Sequence, residues 1–316
     1  MQDIQHPYIA GFWLRFFAAF IDSILVAVVC YVISLCLKNT LTTYPILFTC
    51  IGFILVAAYF AICNSHFNQG QTFGKQILKI KVVDLNGQYI SLYASFVRAV
   101  LTYAPICLMT VTLYIDSLVV SIFINFALAT IYAFTVYLFV FNRHNRRTVH
   151  DYATKTIVIH ENVAASPIQT IWKGHFAFLG IILALIVTYF FIQTQVYTGT
   201  QQDTLVKLKQ LQSNILTTQI ASQTIHEDGK TFIMAIYNVQ VDDLNLLYNS
   251  DFAQRFAENL NQISPQTLNE NNFILLGVQA GYQFGFANRN EINMYQIERT
   301  DQGVEVTEQV STLNQF

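Results

Sequence analysis

Residues Tyr44–Cys63 are twenty in a row without one charged side chain, and this run limits the chain more than any other feature. An α-helix rises about 1.5 Å per residue, so about 20 apolar residues cross the roughly 30 Å of hydrocarbon in a bilayer. Leu118–Phe141 is equally free of charge, broken only by small polar residues and Asn125. Phe12–Leu37 is long enough with some tilt, although it carries Arg15 and Asp22. Phe176–Ile192 has 17 residues and sits at the lower limit. Ala99–Ile115 is also 17 residues and contains Pro105; it either crosses or forms a helical hairpin with the segment after Asp116. These runs predict an α-helical integral membrane protein of about five transmembrane helices, with four as the alternative.

Composition agrees. The 316 residues are 53% hydrophobic and 11% charged, against about 45–50% and about 25% in soluble domains, which argues against one soluble domain and against a nucleic-acid-binding chain. The net charge of −2 averages two unlike parts: residues 1–192 hold 11 basic and 6 acidic side chains, net +5, and residues 193–316 hold 6 and 13, net −7. Lys75, Lys79, Lys81 and Arg98 lie between the second and third apolar runs, and Arg143, Arg146, Arg147, Lys155 and Lys173 between the fourth and fifth. Basic short loops stay in the cytoplasm, which places the N-terminus there too. The opposite loops hold only Lys38 and Asp116. An odd number of crossings puts 193–316 outside the cytoplasm. The first run is too long for a signal peptide and lacks a basic cluster before it. All five cysteines (Cys30, Cys36, Cys50, Cys63, Cys107) fall in or beside apolar runs and read as small buried hydrophobes, with no disulfide framework in the exported part.

The chain is expected to divide into a transmembrane domain over 1–162, a linker and last helix over 163–192, and a soluble extracytoplasmic α+β domain over 193–316. That last part holds 18 Gln and 13 Asn with aliphatics between them, the pattern of a folded module rather than a low-complexity tail. Asp203–Ile225 reads as a helix through Leu208, Leu211, Ile215 and Ile225. Phe232–Val241 reads as a strand after the turn Asp228-Gly229, and Leu246–Ile263 as a helix stopped by Ser264-Pro265. Phe273–Phe286, Ile292–Arg299 and Val304–Val310 read as strands, the last two joined by Asp301-Gln302-Gly303. Asp242-Asp243 reads as a helix cap rather than a cation site.

Charge inside lipid costs about 2.5–3.5 kcal/mol on insertion scales, so it persists only where it snorkels, pairs or lines a polar path. Arg15 lies near the start of its run and can snorkel. Asp22 follows seven residues later on the same helix face, about 10.5 Å along the axis, too far for a direct bond. It is expected to be buried against another helix near a cation, or partly protonated. The candidate partners lie in the basic segment Arg143–Thr154, where His150-Asp151 does nothing to hold a loop in the cytoplasm. Lys155–Ile159 alternates enough to be a short interfacial strand.

These segments resemble the RDD family, small bacterial membrane proteins named for an arginine and two aspartates. The similarity runs through Gly11-Phe12-Trp13-Leu14-Arg15 to Ile21-Asp22, then Gln71-Thr72-Phe73-Gly74-Lys75, Val82-Val83-Asp84 and Asn86-Gly87, and finally Arg147-Thr148-Val149-His150-Asp151 and Thr156–Ile159. It covers roughly residues 8–160. The resemblance implies Arg15, Asp22 and Asp151 as the name-giving residues; His150, Gly74, Lys75, Arg98 and Arg147 are expected to support them. It also implies a bacterial inner membrane location. Lys79 and Thr148 depart from it, standing where the family usually has glycine.

The family is linked to transport, including cation/proton antiport, so one expectation is movement of a cation, proton or small solute. Asp22 would then carry the ion, Arg15 would tune it, and His150-Asp151 would form the cytoplasmic mouth, in an oligomer of this short chain. The alternative is a non-catalytic anchor or assembly factor, with Arg15, Asp22 and Asp151 as a structural ion network and 193–316 binding an extracytoplasmic partner. An enzyme is not expected. No nucleophile stands at recognisable spacing from a base, Gly74-Lys75 lacks the spacing of a phosphate loop, and no metal or cofactor motif is present. The partners expected are the lipid bilayer, further copies of the chain and a protein at the exported domain, but no nucleic acid.

Overall fold

The computed structural model describes residues 9–115, 117–143, 145–163, 170–196, 199–227, 230–270, 273–301 and 303–309. Asp116, His144, the Asp228-Gly229 turn and Gln302 lie outside the described residues. Contacts divide the chain into two compact units. The first holds the described residues of Met1–Cys36, Leu47–Ile192 and Gln283–Ala287, and the second those of Leu37–Ile46, Gln193–Tyr282 and Asn288–Phe316.

Helix α1 runs over Phe12–Thr43 and α2 over Pro45–Cys63. A short α3 (Phe73–Ile77) leads into strand β1 (Ile80–Asp84), and α4 covers Leu92–Cys107. Then follow α5 (Leu118–Phe141), a one-turn α6 (Val149–Ala153), β2 (Thr156–His160) and α7 (Gly174–Val196). By length and hydropathy, α1, α2, α5 and α7 qualify as four candidate spans. Their surfaces carry Phe20, Ile54, Phe123 and Leu185, each more than half exposed. The expected fifth span differs. Helix α4 is 16 residues long and ends at Cys107, and a 3-10 helix over Met109–Tyr114 continues it. Pro105 has no N–H to give the preceding turn, so the α-helix stops two residues later.

β1 and β2 pair antiparallel, Val82 opposite Val158 and Asp84 opposite Thr156. The period of two sorts their side chains: Ile80, Val82 and Val158 pack with Ala10 and Ala18, while Val83, Ile157 and Ile159 pack with Ile9 on the other face. Ile9 bridges to Ile159, so this small sheet gathers the chain just before α1, just after α2 and just after α5. Helices α5 and α7 run antiparallel, since Tyr137 meets His175 and Phe126 meets Phe190.

The second unit contains α8 (Gly199–Leu211), β3 (Ile215–Glu227), β4 (Lys230–Val241), α9 (Ser250–Ile263), α10 (Pro265–Glu270), β5 (Phe273–Phe284), β6 (Ala287–Thr300) and β7 (Gly303–Gln309). The helix expected over Asp203–Ile225 is corrected: it ends at Leu211, and β3 takes the rest. Thr217, Thr218, Ile220, Thr224 and Ile225 are β-branched and prefer the pleated surface, which the spacing of four aliphatics did not weigh. The sheet order is β3-β4-β5-β6-β7, parallel between β4 and β5 and antiparallel at β3–β4 and β6–β7. The parallel pair needs a crossover, and α9 supplies it. Its Phe252, Phe256 and Leu260 lie at i, i+4 and i+8 and bury against Tyr237, Val239, Leu276 and Val278. Asn249 caps α9 by accepting from the Phe252 amide at 2.9 Å. Asp243 accepts from the Asn245 amide at 2.9 Å, the cap role expected for Asp242-Asp243.

The two departures from family glycine have different causes. Lys79 adopts φ +52°, the left-handed region that glycine enters freely. Thr148 is extended at φ −103° and needs no glycine. Left-handed backbone costs a side-chain-bearing residue about 1–2 kcal/mol, and a glycine costs about 0.5–1 kcal/mol in chain entropy. Lys79→Gly is therefore expected to stabilise the chain by about 0.5–1 kcal/mol, read as a higher melting temperature in micelles. Lys79→Val should lower it, and equal melting temperatures for the two variants would contradict the assignment.

Candidate functional site

Asp151 is fully buried at the N-terminus of α6 and collects donors from three directions. Thr148, the residue before α6, gives Oδ2 both its amide at 2.9 Å and its hydroxyl at 2.8 Å. Arg15 from α1 pairs with Oδ2 at 3.0 Å, and Arg98 from α4 pairs with Oδ1. Arg98 also donates to Thr156 Oγ1 at 2.6 Å, and that hydroxyl donates to Oδ1 at 3.2 Å. Arg15 donates its other nitrogen to the Arg146 carbonyl and lies 5.4 Å from the centre of the Phe139 ring. Far from snorkelling, Arg15 is 8% exposed and fixed on all sides. Burial alone would push the Asp151 carboxyl up. Arg98 and Arg15 overcome it and hold that carboxyl well below the usual carboxylate range.

His150 stands beside it, with Nδ1 3.0 Å from Thr102 Oγ1 and Nε2 2.8 Å from Thr148 Oγ1. Thr102 also donates its hydroxyl to the Arg98 carbonyl at 2.8 Å. Burial, then Arg98, pushes His150 well below the ordinary histidine range, so it is neutral here. Arg147 faces backbone instead, donating to the Thr156 carbonyl at 3.2 Å and the Asp151 carbonyl at 3.0 Å, with its guanidinium 4.2 Å from the Tyr152 ring centre.

Asp22 belongs to a different set of bonds. It is 1% exposed and accepts from Tyr59 of α2 at 3.0 Å, from the Thr72 hydroxyl, and from the Gly74 amide at 2.8 Å. Among the described residues its hydrogen-bond donors are uncharged. A side chain at Gly74 would put its Cβ 2.2 Å from the Ala18 carbonyl oxygen, so only glycine lets α3 approach α1 closely enough for this bond. Lys75, next in α3, donates to Asn64 Oδ1. Burial, then the Arg98 charge, pushes the Lys75 ammonium down to about 7, against the pull of Asp22.

Between the two sets lies a cavity of about 170 Å³ whose lining includes Arg15, Asp22, Lys75, Arg98, Thr135 and His150. The Thr135 hydroxyl oxygen is buried without a hydrogen-bond partner. All the sequence-predicted site residues thus meet in one region. Gly74 and Arg147 serve its backbone, and Arg15 and Asp22 line one cavity without bonding each other. Thr72 was legible inside the Gln71–Lys75 motif, whereas Tyr59, Asn64, Thr102 and Thr135 carry no signal in the sequence. Among the described residues no cluster of three or more His, Cys, Asp or Glu side chains is placed to hold a metal ion.

Asp151→Asn leaves two buried guanidinium groups with half their partner charge removed, and is expected to cost about 3–5 kcal/mol of stability. The carboxyl's folded-state value is depressed, so its contribution is complete above the unfolded value of about 4 and fades only as pH falls through the folded value. Melting temperatures should therefore separate wild type from Asp151→Asn evenly between pH 5 and 8, with the gap closing toward pH 3. A gap that instead closes between pH 6 and 8 would contradict this pairing.

Residues 9–155, which hold all of the Asp22 bond set and all of the Asp151 set except Thr156, match the RDD family model. No curated protein and no solved structure matches the chain. Over residues 9–155 this chain is an RDD-family membrane protein.

Proposed function

We propose that the RDD-family domain, which supplies four of the chain's five crossings, is a non-enzymatic membrane unit that binds and moves a small charged solute or proton through the cavity beside Asp22. The observation that carries this reading is the cavity itself, with Arg15, Asp22, Lys75, Arg98 and His150 around about 170 Å³ of space next to helices of membrane-spanning hydropathy. Ionisable groups at such a place mark solute or proton paths more often than they serve packing. The closed Asp151 set forms the rigid wall, and Asp22 positions α3 and hence Lys75. This shifts the expected division of labour: Arg15 belongs to the wall rather than to Asp22.

The pairing of the small sheet supports five crossings of the whole chain. β1 comes after α2 and β2 after α5, and they pair, so both helices end on one side. The chain between them must cross once more. The 16 residues of α4 and the six of the 3-10 helix extend about 24 Å and about 12 Å, enough for about 30 Å of hydrocarbon. The Lys/Arg distribution supports a cytoplasmic sheet and N-terminus in a bacterial inner membrane, with α7 delivering residues 193–316 to the opposite side.

A second reading, an anchor whose exported unit holds a protein partner, is favoured by the second unit having a buried core of its own around Tyr237, Phe256 and Leu276. Chemical cross-linking of the full chain in cells, through Tyr248→Cys on an exposed position of that unit, should then capture one recurrent protein.

Sidedness is checked by an impermeant maleimide on intact cells, with the five native cysteines replaced. Ser117→Cys and Tyr248→Cys should label, and Asn86→Cys only after lysis; protection of Ser117→Cys would remove the fifth crossing. For movement of solute, the chain in proteoliposomes should dissipate a proton or small-ion gradient faster than empty vesicles. Asp22→Asn should slow it at least about tenfold, since α3 loses its anchor on α1. Wild-type vesicles that leak no faster than empty ones would end the transport reading.

A further inference from the structure

The cavity is unevenly charged. Arg15, Lys75 and Arg98 line it, and the carboxylates near them are Asp22 in the lining and Asp151 behind the two arginines. By formal charge, three cations face two anions. Asp22 has its oxygens occupied by three donors, and a cation would have to displace them. Donors, in contrast, remain unspent. Arg98 makes its bonds to Asp151 and Thr156 through Nη1 alone, and among the described residues its Nε and Nη2 donate to no protein acceptor. The Thr135 hydroxyl is buried and unpartnered in the same lining.

We propose that this cavity binds a small oxyanion, a carboxylate or inorganic phosphate, held by the uncommitted edge of Arg98, the Lys75 ammonium and the Thr135 hydroxyl. The inference rests on the reading of the cavity as the domain's binding place and names the class of its occupant. Arginine's planar fork matches an oxyanion two bonds at a time, and charge-assisted bonds of this kind are about twice as strong as neutral ones. A volume of about 170 Å³ gives room for a small oxyanion with part of its hydration.

Binding is linked to a proton. Lys75 faces Arg15 and Asp22 from α1, Arg98 from α4 and Asp151 from α6, and donates to Asn64 of the loop after α2. The crowd of cations and its burial let it lose its proton near pH 7. An anion beside it favours the charged ammonium, so binding tightens as pH falls from 8.5 to 6, and each anion brings in a fraction of a proton.

The test is calorimetry on the full chain in phosphate-free maltoside micelles, titrated with sodium phosphate and sodium acetate against sodium chloride at equal ionic strength. Phosphate or acetate should bind, and sodium chloride should not. Lys75→Gln should weaken binding at least about tenfold and remove the pH dependence of acetate binding, acetate being ionised throughout this range, and Thr135→Val, close in shape, should weaken binding several-fold without removing that dependence. Phosphatidylglycerol that displaces phosphate assigns the oxyanion to a lipid headgroup, and no displacement assigns it to a free solute; both keep the site. Heat from sodium alone, no oxyanion binding at millimolar concentration, or binding unchanged in both folded variants overturns the inference. Vesicle flux separates it from the transport reading: oxyanion binding without flux removes transport only, and cation flux without oxyanion binding removes the oxyanion only.

Discussion

One carboxylate, Asp151, ties α1, α4 and α6 of the membrane domain together. It sits between Arg15 of α1 and Arg98 of α4, and its remaining lone pairs go to Thr148 and Thr156. Two guanidinium groups in a buried place are costly unless a counter-charge is fixed beside them. The fixing is done by sequence-local means: a one-turn helix capped by Thr148 aims the carboxylate, and the β1–β2 ladder brings Thr156 under it. Apolar helices in lipid gain little from burying apolar surface against each other, so such polar clamps decide which faces meet.

A second clamp, Asp22 to Thr72, Gly74 and Tyr59, ties the α3 turn to α1 and α2. Two separate clamps leave a gap between them, and the gap inherits the charges on its rim. This explains how a chain with 11% charged residues concentrates so many of them around one cavity. Lys75 depends on both clamps: Asp22 fixes its position through Gly74, and Arg98 in the first clamp lowers its hold on a proton.

Much of this was legible in the sequence because hydropathy and charge are local quantities. The charge-free runs at 44–63 and 118–141 became α2 and α5 within a residue. The quoted motifs around Arg15, Gly74-Lys75 and His150-Asp151 contain most of the clamp. What the sequence could not convey was who bonds whom. Arg15 and Asp22 share a helix face, which suggested common neighbours, yet Asp22 finds Thr72, 50 residues on, and Arg15 finds Asp151, 136 residues on. Thr135 and Tyr59 look like ordinary span residues until the helices are packed. In the second unit, aliphatic spacing alone extended a helix into β3, where the β-branched run and the partner strand β4 set the outcome.

The most direct measurement of the two-clamp arrangement is a pair of double-mutant cycles on unfolding of the full chain in micelles. Arg15→Met with Asp151→Asn should show coupling above about 1 kcal/mol, while Asp22→Asn with Asp151→Asn should add to within about 0.5 kcal/mol. Strong coupling between Asp22 and Asp151, with none between Arg15 and Asp151, would contradict it.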